Sequence, residues 1–146
     1  EPIEAVVSSM QGGGLNLKTM HAGGLCGMAT FLDPSITTSD NLSGQVVARK
    51  GDLPEVHSNV SISVNLMSHM VAGDGESPEK IQPLRNNEML MLNVATATSV
   101  GTTRNAEKGR TDLELRLPIC ADKGQRISLS RRIGSRWRLI GYGTIE

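Results

Sequence analysis

Apolar and polar positions alternate with period two in several stretches of the chain. In VSISVNL, Val60, Ile62, Val64 and Leu66 fall on one side, and Ser61, Ser63 and Asn65 on the other. DLELRLPI sets Leu113, Leu115, Leu117 and Ile119 against Glu114 and Arg116, and RISLS repeats the pattern with Ile127 and Leu129. Successive side chains of a strand point to opposite faces, so this alternation predicts half-buried antiparallel strands. EMLMLNVATATSV predicts one longer or bent strand, its Thr-rich half suited to a pleated surface. Turn signals punctuate the runs at Gly12-Gly13-Gly14, Gly23-Gly24, Lys50-Gly51-Asp52, Gly73-Asp74-Gly75 and Lys123-Gly124. No long helical stripe is present. SPEKIQPLRNNE holds two prolines and reads as a loop, and Asp33-Pro34 suits the start of one short helical turn. Short strands separated by turns predict an all-β fold, barrel or sandwich. VVARKGDLP ends one strand and breaks at Gly51 and Pro54. Residues 1–50 are therefore expected to be part of one β unit, and 51–146 to form a complete second one.

The length of 146 residues suits one ordinary domain, or a small domain with part of another. No apolar run approaches the roughly 18–20 residues of a membrane-spanning helix. No charged-then-apolar leader precedes a small-residue cleavage site. The chain opens on Glu1 rather than Met, as expected of a piece of something longer. Cys26 and Cys120 lie far apart, and reduced thiols are the simpler expectation.

A formal net charge of zero hides an asymmetry. Residues 1–50 carry three Lys/Arg and four Asp/Glu, residues 51–100 two and six, and residues 101–146 ten and five. A basic C-terminal third in a neutral chain points to a localised anionic partner rather than general affinity for polyanions.

Motifs for autonomous chemistry are poor. GGGLNLKT resembles a phosphate loop only superficially: counted from Gly12, the second glycine position holds Leu17, whose Cβ hinders wrapping of a phosphate. His21, His57, His69, Cys26 and Cys120 show no ligand spacing, so no metal site is expected. Cys26 sits in the apolar run GLCGMATF, where a small buried hydrophobe is the expected role rather than a nucleophile.

The tail is richer. RISLSRRIGSRWRLIGYGTIE holds the one Trp, the one Tyr, and four arginines within eight residues: Arg131, Arg132, Arg136 and Arg138. On a regular strand Arg136 and Arg138 share a face opposite Trp137 and Leu139. Trp137 and Leu139 are then expected in the core as structural anchors. The arginines are expected outside, either as a phosphate-contacting patch or paired to Glu107, Asp112 or Glu114.

The segment CADKGQRISLSRRIGSRWRLIGYGTI resembles the closing segment of the gamma subunit of eukaryotic and archaeal translation initiation factor 2. That family ends in a Cys, a Gly-x-(Arg/Lys)-Ile turn and strand, Leu-Ser-Arg-Arg, then Trp-Arg-Leu-Ile-Gly-(Trp/Tyr)-Gly. Here these are Cys120, Gly124, Arg126, Ile127, Leu129 to Arg132, and Trp137 to Gly143. GGLCGMATFLDPSITTSDNLSGQVVARKGDLPEV is similar to a second family block, including the strand matched by Asp40, Leu42, Gly44, Gln45 and Val46. NNEMLMLNVATATSVG is similar to a third, and the three blocks keep the family's order. Departures are Ala29 for a usual Gly, Cys26, Met28 and Phe31 for commoner residues, Arg136 for a usual His, Tyr142 for a usual Trp, and the loop at 73–83.

The resemblance implies translation-factor β-barrels like domains II and III of elongation factor Tu. Residues 1–50 would be the C-terminal part of barrel domain II, and 51–146 barrel domain III. It implies a non-enzymatic piece of a cytoplasmic protein-synthesis GTPase, with GTP and Mg held by a domain absent from this chain. Implied partners are initiator methionyl-tRNA, the small ribosomal subunit, the alpha and beta subunits of the same factor, and an ATP-grasp assembly chaperone; no membrane is implied. By position, Gly23, Gly24, Leu25 and Gly27 would face the aminoacylated tRNA end, and Arg131, Arg132, Arg136 and Arg138 would meet RNA or a partner. A stand-alone β-barrel RNA- or protein-binding module, or the barrels of a selenocysteine-specific elongation factor, are the alternatives. Residues 1–50 are expected to need their missing part or a partner to cover open edges.

Overall fold

A computed structural model describes residues 2–70 and 79–146. The turn expected at Gly73-Asp74-Gly75 lies outside the described residues. The chain divides into two compact units, Glu1–Leu42 and Ser43–Glu146.

The first unit is a three-stranded antiparallel sheet in the order β2-β1-β3, from β1 (Val7–Gly12), β2 (Leu15–Asn16) and β3 (Gly27–Thr30). A short 3₁₀ segment, Pro34–Asp40, follows, kinked at Thr38 and Ser39. Asp33 caps it: its carboxylate accepts the Ser35 N–H at 2.9 Å, which holds its pKa below the ordinary value. None of residues 2–42 is buried. Val6, Leu15, Leu25 and Phe31 are each more than two-thirds exposed.

The second unit is a closed six-stranded antiparallel barrel. Its strands are β4 (Val56–Leu66), β5 (Met89–Val94), β6 (Ala97–Glu107), β7 (Arg110–Cys120), β8 (Arg126–Ile133) and β9 (Arg136–Ile145), in the order β4-β7-β6-β5-β8-β9 with β9 returning to β4. Closure leaves no open edge. The alternating residues fill the interior: Val60, Ile62, Leu90, Leu92, Leu113, Ile127 and Leu129 are all buried. At the closing seam β9 passes so near β4 that a Cβ on Gly141 would lie 2.2 Å from the Asn65 carbonyl oxygen. Only glycine fits there.

Three expectations change. EMLMLNVATATSV is not one strand but the β5–β6 hairpin, turning at Ala95-Thr96 with Ala95 at φ 51. Neither residue is a usual turn former, so the sequence carried no signal. The strand expected to end in VVARK does not form: residues 45–49 join no sheet among the described residues. Two β-branched valines, Val46 and Val47, make a strand only beside a strand that can take their hydrogen bonds. Leu117 is 60% exposed, because the β4–β7 ladder breaks between the pairs His57–Ile119 and Asn59–Glu114 and releases it.

Candidate interaction surfaces

The glycine element of the first unit is a bend. Gly23 and Gly24 take φ of 105° and 79°, a backbone that glycine alone adopts freely, so the bend itself accounts for both. Gly27 opens β3 opposite Gln11 with ordinary φ. A Cβ at Gly23, Gly24 or Gly27 would meet nothing within 4 Å, and Leu25 between them is 95% exposed. The segment thus presents bare backbone and one apolar side chain to solvent. Cys26, expected to be buried, is exposed as well. The unit has no enclosed side to receive it.

Gly13 and Gly14 form the tight β1–β2 turn, Lys18 is exposed, and strand β2 rather than a helix start follows the turn. These residues do not fit a nucleoside triphosphate, whose phosphates need amides converging on a helix start. Among the described residues no three of His, Cys, Asp and Glu could hold a metal ion. None of their helices is long and apolar enough to cross a membrane.

The tail folds as the β8–β9 hairpin, and the structure separates its arginines. Arg131 is turned into the barrel end: its guanidinium pairs with Glu88 and donates to the carbonyls of Gln82 and Pro83 at 2.9 and 3.1 Å. Both charged side chains are only about one-sixth exposed, at 16% and 17%. Arg131 therefore pins the segment leading into β5, a role with little left for a phosphate. Its partner is Glu88, not Glu107, Asp112 or Glu114; Glu114 instead pairs with Arg104 at 3.0 Å. Arg132 and Arg136 are exposed near the hairpin turn and take part in no ion pair among the described residues. Arg138 lies opposite Arg131 in the ladder and is half-buried.

The expected placement of Trp137 and Leu139 in the core is inverted. The β8–β9 register shifts between Leu129 and Ser130: Leu129 faces Gly141 but Ser130 faces Leu139, leaving Ile140 as an extra residue. One extra residue flips every side chain before it to the other face. Ile140 and Gly141 are consecutively buried, Arg138 shares the inner face with Ile140, and Trp137 and Leu139 lie outside. Leu139 is 43% exposed and Trp137 is half-buried. The sequence held a clue in Leu139-Ile140-Gly141, since two adjacent apolar residues before a strand glycine mark a bulge. Two further contacts gave no sequence signal. Arg126 sits over the Tyr142 ring at 5.2 Å from its centroid. Asp112 accepts from Ser61 Oγ at 2.6 Å and Asn105 Nδ2 at 2.9 Å, which together hold its carboxyl below the ordinary range.

Comparison with known proteins adds the following. Residues 58–145 match the family model described as "Initiation factor eIF2 gamma, C terminal". The chain is 51% identical over its whole length to the translation initiation factor 2 subunit gamma of Methanococcus aeolicus, and 41% to that of Haloquadratum walsbyi. It spans about a third of the length of these relatives, 35% in each case. Among solved structures it resembles a bacterial selenocysteine-specific elongation factor, with a TM-score of 0.66 and 14% identity. That match covers 97% of this chain and 20% of the other, and it shows a translation-factor fold.

Proposed function

The chain belongs to the gamma-subunit family of translation initiation factor 2, and on that premise we propose that it is the C-terminal, non-GTPase piece of such a subunit. In this reading the first unit is the end of barrel domain II and the closed barrel is domain III, with the change near residue 50. The parent delivers methionylated initiator tRNA to the small ribosomal subunit in the cytoplasm. GTP and Mg belong to the part outside this chain. The piece supplies contacts to tRNA, to the ribosome, to the alpha and beta subunits and to an ATP-grasp assembly chaperone.

The observation that carries the contact role is the tail's charge. From Arg126 to Ile145 there are five arginines and no acidic residue, and the structure leaves Arg132 and Arg136 exposed at the β8–β9 turn. Guanidinium groups there can chelate ribosomal phosphates. Binding of the chain to small ribosomal subunits across a salt series tests this, beside Arg132→Ala/Arg136→Ala. The double variant should bind more weakly and lose up to roughly 1–2 from the log–log salt slope. An unchanged slope would move the RNA role out of this hairpin.

For the tRNA end, the support is the exposed Gly23–Gly27 stretch, where a ribose or aminoacyl group can approach backbone. Gly27→Val in the assembled factor should weaken retention of initiator tRNA several-fold without altering GTP binding. Equal retention would leave the glycines a turn-forming role only.

A further inference from the structure

The bulge at Ile140 puts apolar bulk on the outside of a barrel whose core is already full. On the outer face one ladder row runs Val100, Met91, Ser130, Leu139 across β6, β5, β8 and β9. Trp137 and Met89 flank it toward one end, and Tyr142 toward the other. Met89 is 55%, Leu139 43% and Tyr142 41% exposed. Ser130, between Met91 and Leu139 in the same row, is only 7% exposed. Aromatics, Met and Arg are the residues that protein interfaces concentrate.

The rim has one sign. Arg126 and Arg132 lie on this outer face, and β5, β8 and β9 carry no acidic residue. Arg126 lies over the Tyr142 ring, 5.2 Å from its centroid, and presents a cation at one edge. We propose that the outer face of β5, β8 and β9 is a docking site for a protein segment with an apolar anchor flanked by Asp and Glu. A nucleic acid satisfies the rim but offers nothing to Met89, Met91 and Leu139, whose thioether and alkyl groups gain only from being covered by apolar atoms. A peptide satisfies both, with its anchor on the Met–Leu row and its carboxylates on Arg126 and Arg132. The surface shares Arg132 with the phosphate role given above, while Arg126, Met89, Met91 and Leu139 belong to it alone.

The test is selection of a random 16-residue peptide library against the whole chain, then titration of the recovered peptides. Trp137 is the only tryptophan, so its emission reports from the face itself. Recovered peptides should be enriched in Asp and Glu around a Leu, Ile or Phe, and should shift the Trp137 emission to the blue. Arg126→Glu should weaken them at least about tenfold. Leu139→Asp should abolish binding, while Leu117→Asp, on a different strand, should leave it intact. Neither Arg126 nor Leu139 is buried, and circular dichroism checks each variant's fold. The proposal is overturned if the recovered peptides lack acidic residues, if they bind Leu139→Asp as well as wild type, or if only a short RNA duplex perturbs Trp137. An RNA-only response would favour the phosphate role of Arg132 and Arg136, whereas the two peptide outcomes leave the ribosome salt series untouched, so the two readings fail separately.

Discussion

Replacing Gly141 by alanine tests how the barrel closes. The added Cβ would stand 2.2 Å from the Asn65 carbonyl oxygen, 2.9 Å from Leu66 Cα and 3.1 Å from the Asn65 carbonyl carbon. A relaxed carbon–oxygen contact is about 3.3 Å or more, so β4 must retreat by roughly 1 Å. All three obstructing atoms are backbone, and they belong to the strand that pairs with β9 from Ile62 to Leu66. Retreat therefore strains the ladder, including the Met67 N–H donated to the Ile140 carbonyl at 2.8 Å. Overpacking in a rigid site costs about 1–3 kcal/mol, and one or two weakened ladder bonds add about 0.5–1.5 kcal/mol each. Gly141→Ala should thus lose roughly 3 kcal/mol, lowering the melting temperature by about 12–24 °C. Two other glycines calibrate the effect. At Gly143 the nearest atom is Ile62 Cδ1 at 2.8 Å, and at Gly101 two leucine methyls at 3.1 Å, all ends of side chains that can turn away. The losses should rank Gly141 above Gly143 above Gly101, the last near 1 kcal/mol. Urea unfolding followed by circular dichroism gives all three values. A Gly141→Ala midpoint within error of wild type, or a reversed ranking, would refute a closed seam at β4 and β9.

Arg131→Met leaves the Glu88 carboxylate largely buried without its cation and should cost roughly 2–3 kcal/mol. Adding Glu88→Leu should recover much of that, and strictly additive losses in the double-mutant cycle would dismiss the pairing. Asp112 receives hydrogen bonds from Ser61 and then Asn105, which lower its native pKa. Its contribution is therefore complete above the unfolded value of about 3.9 and is lost as pH falls through the native one. Stability measured from pH 5 down to pH 2 should drop less steeply for Asp112→Asn than for wild type; parallel curves would remove the group from the acid response. A peptide of residues 2–42, none of which is buried, should show a disordered circular dichroism spectrum and rapid amide exchange throughout. Protected amides in β1 or β3 would show that the small sheet holds itself together.

What the sequence made legible is whatever a strict alternation records. Val60 and Ile62, Leu113 and Leu115, and Ile127 and Leu129 went to the interior as their period required, because each strand has only two faces and one must be dry. Such a pattern says nothing about residues that interrupt it. The Ala95-Thr96 turn has a positive φ held by the hairpin around it, not by the residues themselves. The pairing of Arg131 with Glu88 joins positions far apart in sequence, and no local rule selects Glu88 over Glu114.

The tail shows how one such interruption changes a functional reading. Projected as a regular strand, Trp137 and Leu139 become core and Arg138 becomes surface. With Ile140 inserted as the odd residue, the assignment reverses: Arg138 turns inward beside Arg131, and the aromatic turns out. The same twenty residues then cease to be a basic wall with a buried anchor. They become an apolar row edged by Arg126 and Arg132, with Arg136 at the hairpin turn. A bulge re-aims side chains without changing composition, so charge counting alone sees a polyanion site where the geometry also offers a place for an apolar side chain. Five arginines with no acid among them favour any anion, but only the exposed Met–Leu row distinguishes a peptide carboxylate from a phosphate.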